Sequence, residues 1–596
     1  MATSPRRNTD IAFSSTPILA ARLSTRRSQL VMFLIFVAFC ALALRAFWIQ
    51  VLGNPFYLKQ GDVRLEHTLT LPAMRGQITD RNGLILATSL PVRTIWADSR
   101  DISDGIDPAK LADMSQLLGI PEPKLRADLS DDKSFVYIKR QVPVAVADQL
   151  KKLDIPGVYE SGDFKRFYPE GDVTAQLVGF TNIGDHGQDG IELAEERNLQ
   201  AQDGSQLVIR DRMGHVVQSV VELSAARNGK QIQLSIDSSI QYSVFSALEQ
   251  AVVNSQAKAG AAIVVDAHTG EVLALANYPT YDPNDRAVLT GEQLRNRAMT
   301  DVFEPGSIMK PFTISLGLDL HRIDPDTTVE TNGRFLLDGA TITDDANFGT
   351  LTIGGVLQKS SNIGASKIAM LLKPEEMWNM YTALGFGHAP DLDFPGMGVG
   401  IVRPWRKWRR VEQATMSYGY GLSVSLVQLA HAYTVFANNG QLVPLTLYKR
   451  SGAPVQCVQV FTPQTAEEVK GMLEKVVAPG GTAPQAQVPG YSAGGKTGTA
   501  YTATRHGYDR SEYRASFVGI VPIRNPRLII AVSVDQPRGA RHYGGDVSGP
   551  VFSRIASDSM RVLNIPPDEP GADHSPPSPR HRPILARSGF RNPATG

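Results

Sequence analysis

Glu304-Pro305-Gly306-Ser307-Ile308-Met309-Lys310-Pro311, continued by Phe312-Thr313-Ile314-Ser315-Leu316-Gly317-Leu318, is the stretch on which the reading of this chain turns. Ser307 and Lys310 are three apart, so on a helix they share a face one turn from each other. Pro305 and Gly306 suit the start of such a helix, and the apolar run beyond Lys310 can bury it in a core. A serine hydroxyl becomes a usable nucleophile when a base takes its proton, and a neutral lysine can be that base. The pattern S-x-x-K alone decides nothing, because Ser130 to Lys133 and Ser255 to Lys258 match it too. Ser130 sits in the polar run Asp128-Leu129-Ser130-Asp131-Asp132-Lys133, which reads as a solvated turn. Ser307 differs in being followed, in order, by Ser360-Ser361-Asn362 and Lys496-Thr497-Gly498-Thr499.

The last of these motifs has a rival. Gly490-Tyr491-Ser492-Ala493-Gly494-Gly495-Lys496-Thr497 matches the phosphate-binding pattern G-x-x-x-x-G-K-T. That loop needs a buried strand before it and a helix after it. Here Pro484 to Pro489 is polar and proline-bearing, while Gly498-Thr499-Ala500-Tyr501-Thr502-Ala503-Thr504 suits a strand. The nucleotide-binding reading is set aside on that context.

The chain has 596 residues, enough for two or more domains with large cores. Its 60 Lys and Arg balance 59 Asp and Glu, so no global field points to nucleic acid. Cys40 and Cys457 cannot make a disulfide framework, and no closely spaced Cys/His pattern implies a metal. No cofactor is implied either.

Ser28 to Leu44 carries no charge and is dominated by Val, Leu, Phe, Ile and Ala, with Ala46-Phe47-Trp48-Ile49 extending it past Arg45. That length just crosses a bilayer, with Arg45 snorkelling and Trp48 at the interface. Arg6, Arg7, Arg22, Arg26 and Arg27 against Asp10 alone place the preceding tail in the cytoplasm. Ala41-Leu42-Ala43 mimics a signal-peptide cleavage site, yet the run exceeds the usual apolar core of such peptides, so an uncleaved single-pass anchor is expected.

Beyond the anchor, two folded units are expected. Residues 51–228 mix short strands with turns, among them Arg75-Gly76-Gln77-Ile78-Thr79-Asp80-Arg81-Asn82-Gly83, Arg166-Phe167-Tyr168-Pro169-Glu170-Gly171 and Gly187-Gln188-Asp189-Gly190-Ile191-Glu192. These need be no more than hairpins and salt-linked loops, with no nucleophile–base pair among them. Residues 229–565 read as an α/β unit: a strand at Ile232–Ile236, a helix over Ile240–Ala251, a buried hairpin Ala261–Asp266 and Glu271–Ala276 around His268-Thr269-Gly270, a core strand Leu528–Val534, and helical material including Leu426–Phe436. The last 31 residues, from Pro566, hold eight prolines and read as a disordered tail.

The ordered trio S-x-x-K, S-x-N, K-T-G is the signature of serine acyltransferases that recognise penicillin. With the anchor, and with Phe303-Glu304-Pro305-Gly306-Ser307, Gln358-Lys359-Ser360-Ser361-Asn362 and Ser417-Tyr418-Gly419-Tyr420-Gly421-Leu422 around it, the chain resembles a class B penicillin-binding protein of the cell-division FtsI type over about residues 26 to 562. The basic tail and the proline-rich tail fall outside that pattern, and no catalytic-glutamate pattern of a glycosyltransferase precedes the trio.

The resemblance implies a cytoplasmic tail (1–27), a transmembrane anchor (28–50), a mostly β pedestal or dimerisation-type domain (51–228), a transpeptidase domain with an antiparallel sheet and a helical subdomain (229–565), and the tail (566–596). It implies a peptidoglycan D,D-transpeptidase of the division septum, working on stem peptides ending in D-Ala-D-Ala and blocked by β-lactams. Ser307 is then the nucleophile, Lys310 its base, Ser360 a proton relay and Asn362 a hydrogen-bonding partner of substrate and Lys310. Lys496, Thr497, Gly498 and Thr499 bind substrate along a strand edge, and the N–H groups of Ser307 and Thr499 form the oxyanion hole. Burial and the charge of Lys496 are expected to lower the Lys310 pKa. An FtsW-type glycosyltransferase and other divisome membrane proteins are the implied partners, with the catalytic domain on the periplasmic side of the inner membrane. An elongation-type relative, a β-lactamase or β-lactam sensor, and a non-catalytic scaffold are the alternatives. Ser361 is expected to face away and pack, Lys359 and Lys367 to be solvated, His506 and His542 to lie on a surface loop, and Cys457 to be a strand residue.

Overall fold

The computed structural model describes residues 25–52, 66–98, 101–102, 106–130, 135–210, 216–504, 507–539 and 542–569. The cytoplasmic tail expected from the basic residues, and the chain beyond Glu569, lie outside them. The polypeptide divides into two compact units, residues 1–71 with 203–226, and residues 72–202 with 227–596.

The first unit contains the helix Thr25–Phe47, running on as a π-helical turn over Trp48–Leu52. It is the one described helix long and apolar enough to cross a membrane, with a mean hydropathy of 2.6 in its apolar window. At 1.5 Å per residue the 23-residue helix spans about 35 Å, which covers a bilayer's hydrocarbon core. The Arg45 guanidinium lies 5.1 Å from the centre of the Trp48 ring, a pairing suited to the interface. The unit also holds an antiparallel sheet in which Gly204–Arg210 lies between Glu66–Leu71 and Val216–Ser224.

In the second unit, residues 72–202 build a sheet around the long strand Ile85–Ala97, flanked by Val136–Val142 and Val158–Phe167. The expected Asn82-Gly83 turn leads into it, Gly83 taking a φ of 90°. Ile95 and Ala97 face a core with Ile138 of the neighbouring strand and with Leu111, Met114, Leu125 and Leu150 from three short helices. The turn-rich motifs meet at a buried ionic node rather than at surface loops. Glu192, fully buried, accepts from Arg75 Nε at 2.7 Å and from Arg166 Nε at 2.6 Å. Arg166 Nη2 also donates to the Gly76 carbonyl at 2.8 Å, and Arg75 Nη1 to that of Asp185 at 2.9 Å.

The larger core surrounds a five-stranded antiparallel sheet, ordered Val272–Tyr278, Ala259–Asp266, Leu528–Asp535, Gly507–Val521, Gly494–Thr504. Every residue from Ala259 to Val265 and from Leu528 to Val534 is buried, which explains apolar runs whose one polar side chain, Ser533, bonds the Ser516 hydroxyl. The helices Ser238–Asn254 and Gly544–Val562 pack on the sheet and on each other. Leu426–Ala437 is apolar almost all round because it is almost wholly buried, and a Ser425/Gln428 capping box starts it. The last strand, Gly494–Thr504, carries the K-T-G motif at the sheet's edge, so the phosphate-loop context of strand, loop and helix is not met. Pro566 to Glu569, the first residues of the proline-rich segment, are placed against the fold.

Candidate active site

Three elements bring the motifs together. Gly306–Met309 forms one 3-10 turn, entered through Gly306 at φ 58°, and Lys310–Asp319 continues it as an α-helix. Ser307 is therefore in the tighter turn before the helix, and Lys310 Nζ lies 2.9 Å from Ser307 Oγ. Ser360 takes φ 57°, a left-handed conformation uncommon for a residue with a side chain. That twist turns its carbonyl onto Lys310 Nζ. Lys310 Nζ is further met by Ser360 Oγ at 3.1 Å and Asn362 Oδ1 at 2.8 Å.

The K-T-G strand closes the group. Lys496 Nζ reaches Ser360 Oγ at 2.9 Å, so one hydroxyl lies between two lysine nitrogens. Thr497 Oγ1 accepts from Lys496 Nζ at 3.1 Å and stands 3.1 Å from the Thr482 hydroxyl. Gly498 permits the close approach of strand and nucleophile turn, since a Cβ there would lie 2.8 Å from the Pro305 carbonyl oxygen. Thr499 Oγ1 accepts from the N–H of Gly544 at the start of the last helix, at 3.0 Å.

Electrostatics favour neutral amines over a pair of cations. Both lysine side chains are fully buried, and the hydrogen-bond partners found for their amines are hydroxyls, carbonyls and an amide. Burial pulls the Lys310 pKa down to about 7, while the carboxylates of Asp344 and Asp345 pull it back up. The repulsion expected between the lysines falls on Lys496, which burial and the charge of Lys310 push well below its ordinary value.

All eight expected site residues thus meet in one place. The S-x-x-K decoys do not: Ser130 Oγ and Ser255 Oγ donate to the carbonyls of Ala127 and Ala251 in their own helices. Among the described residues no group of three His, Cys, Asp or Glu is placed to hold a metal.

Comparison with known proteins agrees with this geometry. The penicillin-binding protein transpeptidase domain matches residues 260–557, and the penicillin-binding protein dimerisation domain matches residues 70–234. The probable peptidoglycan D,D-transpeptidase PenA of Neisseria meningitidis is 41% identical over 550 residues, covering 92% of this chain and 94% of that protein. This chain belongs to the class B penicillin-binding proteins. The peptidoglycan D,D-transpeptidase FtsI of Escherichia coli is 37% identical over 541 residues, 90% of this chain and 91% of that one. The transpeptidase domain of Burkholderia pseudomallei penicillin-binding protein 3 is 61% identical with a TM-score of 0.53, over 56% of this chain and 98% of that structure. A peptidoglycan synthetase of Bifidobacterium adolescentis reaches a TM-score of 0.67 at 27% identity, over 85% and 98%.

Within this penicillin-binding protein, sequence reasoning missed residues that hold the motifs in place. Asp344 accepts from the Ser361 hydroxyl, from Asn362 N and, at 3.0 Å, from Ile363 N. Its carboxylate thereby fixes the first turn of the helix Asn362–Ala369. Ser361 does face away from the lysines, but it caps that helix, accepting from Gly364 N at 2.8 Å, and is more than packing. Glu304 sits in the decisive stretch itself, where it accepts from Gly421 N at 2.7 Å and Tyr508 Oη at 3.1 Å. Nothing local marks Asp344, which lies 16 residues before Ser360.

Lys359 and Lys367, expected to be solvated, make hydrogen bonds at the exposed surface, to the Gly480 carbonyl at 2.9 Å and to that of Glu330 at 2.8 Å. His542 stacks on Tyr513 with ring centres 4.3 Å apart, and His506 lies outside the described residues. Cys457 immediately precedes the short strand Val458–Gln459.

Proposed function

We propose that this protein cross-links peptidoglycan as a serine D,D-transpeptidase of the septal type. The observation that carries the reading is the buried Lys310 amine, 2.9 Å from Ser307 Oγ and with a pKa near neutrality. In this reading the Ser307 hydroxyl gives its proton to neutral Lys310 as Oγ attacks the carbonyl between the two terminal D-alanines of a stem peptide. The C–N bond breaks, D-alanine leaves with a proton relayed through Ser360, and Ser307 keeps the acyl group. An amine of a second stem peptide then attacks the ester carbonyl and gives up a proton. The bond to Ser307 Oγ breaks, and Ser307 leaves as the hydroxyl with the proton returned from Lys310, which completes the cross-link. Asn362 orients Lys310 and the substrate amide. Lys496, Thr497 and Thr499 hold the substrate carboxylate and backbone, Gly498 lets the strand come close, and the N–H groups of Ser307 and Thr499 take up the oxyanion.

The same reading places the N-terminus in the cytoplasm and the catalytic domain in the periplasm, on the charge asymmetry around the anchor. It keeps 51–228 as pedestal and 229–565 as transpeptidase domain, and an FtsW-type glycosyltransferase with other divisome membrane proteins as partners. The septal assignment rests on the division-type motif phrasing and on relatives that carry the FtsI name. Its test is covalent labelling of purified protein by a fluorescent penicillin, with peptide mapping. A persistent label on Ser307 that Ser307→Ala abolishes supports the reading. Absence of label, or one that survives the substitution, would sink it and leave a scaffold.

A further inference from the structure

The K-T-G strand begins at Gly494, and the chain just before it is held by residues from the far end of the protein. Ser492, 3% exposed, is the centre of this contact. Its N–H donates to Asp568 Oδ1 at 2.8 Å, and its hydroxyl donates to Asp568 Oδ2. The same hydroxyl accepts from Arg524 N at 3.3 Å, and the Ser492 carbonyl accepts from Ile523 N at 2.9 Å. The neighbours repeat the pattern. Tyr491 Oη donates to the Ile565 carbonyl at 2.6 Å, and Glu569 N donates to the Gly490 carbonyl at 3.1 Å. Arg524 bridges Glu474 at 2.8 Å and Glu569 at 2.9 Å.

Magnitudes select among these contacts. The Arg524 pairs are largely exposed and worth little. The Asp568–Ser492 pair is different, because removing the carboxylate leaves a buried N–H and a buried hydroxyl proton without acceptors. The functional link is short: Lys496 lies four residues beyond Ser492, on a strand paired along its whole length with Gly507–Val521. The Asp568–Ser492 contact thus anchors the chain at the entry to the strand that presents Lys496 to Ser360 Oγ and to Thr497 Oγ1.

We infer that Ile565–Glu569 is a strap that sets the K-T-G strand in place, and that Asp568 is a positioning residue for Lys496 and Thr497. The inference rests on the proposed role of those two residues in binding substrate. The strap therefore acts on recognition of the substrate carboxylate more than on the Ser307–Lys310 chemistry, which sits on other elements.

The test uses full-length protein in detergent and variants, each normalised to the fraction that can be acylated by a saturating fluorescent penicillin. Stopped-flow acylation separates the binding constant Ks from the acylation rate k2. Asp568→Ala and truncation after Ile565 are expected to raise Ks about tenfold, the worth of one net hydrogen bond, with k2 within about threefold of wild type. Asp568→Asn, which still offers an oxygen to Ser492 N, and truncation after Glu569 are expected to stay within about threefold of wild type in both. Unchanged Ks in Asp568→Ala, with only a lower melting temperature, would overturn the inference and make the strap a stabiliser alone. Equal losses from both truncations would overturn it as well. If the Ile565 truncation does not fold, the Asp568→Ala and Asp568→Asn pair decides. Should the wild-type chain itself fail to acylate, the proposed function fails rather than the strap.

Discussion

The pH dependence of acylation follows from how Lys310 is buried. With its pKa near 7, roughly one-tenth of the molecules carry the neutral amine at pH 6 and roughly nine-tenths at pH 8. Only the neutral form can take the Ser307 proton, so k2/Ks should rise about tenfold between pH 6 and pH 8 and then level off. The sign is fixed by the cause: burial disfavours the ammonium, so raising pH restores the base rather than removing it. Because desolvation and not surface charge dominates, the midpoint should move little when salt is raised from about 0.05 to about 0.5 M. The assay is stopped-flow acylation by a fluorescent penicillin with no side-chain titration in this range, with thermal melts at each pH to show that the fold is intact. A flat profile, or a midpoint above about pH 9, would refute Lys310 as the general base in its buried state.

Other consequences are open to the same instruments. Asp344→Ala removes the acceptor for Ser361, Asn362 and Ile363 and one charge that raises the Lys310 pKa; k2 should fall about tenfold and the pH midpoint should move below that of wild type. Gly419→Ala sets a Cβ 2.0 Å from the Gly306 carbonyl oxygen at φ 86°, so the turn before Ser307 must shift, and acylation at saturating penicillin should drop at least tenfold. Glu192→Ala strands the buried Arg166 guanidinium and leaves Arg75 with Glu196 as its remaining carboxylate, and should cost about 3–5 kcal/mol of unfolding free energy, read by denaturant titration, while the folded fraction keeps its k2. A loss in k2 with full stability in that variant would show that the ionic node acts on the active site.

Much of the architecture was legible because its signals are local. An uncharged apolar run sized to a bilayer, a buried hairpin around His268-Thr269-Gly270, and the predominantly apolar strand at Leu528–Val534 each follow from periodicity and burial in neighbouring residues. The three motifs were legible for a different reason: their side-chain chemistry is demanding and their order is fixed, so the set is specific where S-x-x-K alone is not. The decoys at Ser130 and Ser255 satisfy the same spacing with their hydroxyls bonded to helix carbonyls.

Sequence alone therefore picked out the three motifs that the fold brings together and the family of enzymes they belong to. Only the tertiary structure decided their ionisation and support. A lysine at position 310 is a cation or a base according to how much water the surrounding core excludes, and that core is assembled from segments far apart in the chain. Asp344 under the S-x-N helix, Asp568 under the K-T-G strand, and Glu192 between two arginines look like ordinary surface carboxylates in the sequence. Their partners are set by folding across long stretches of chain, and no local pattern encodes a contact whose two halves meet only in the finished core.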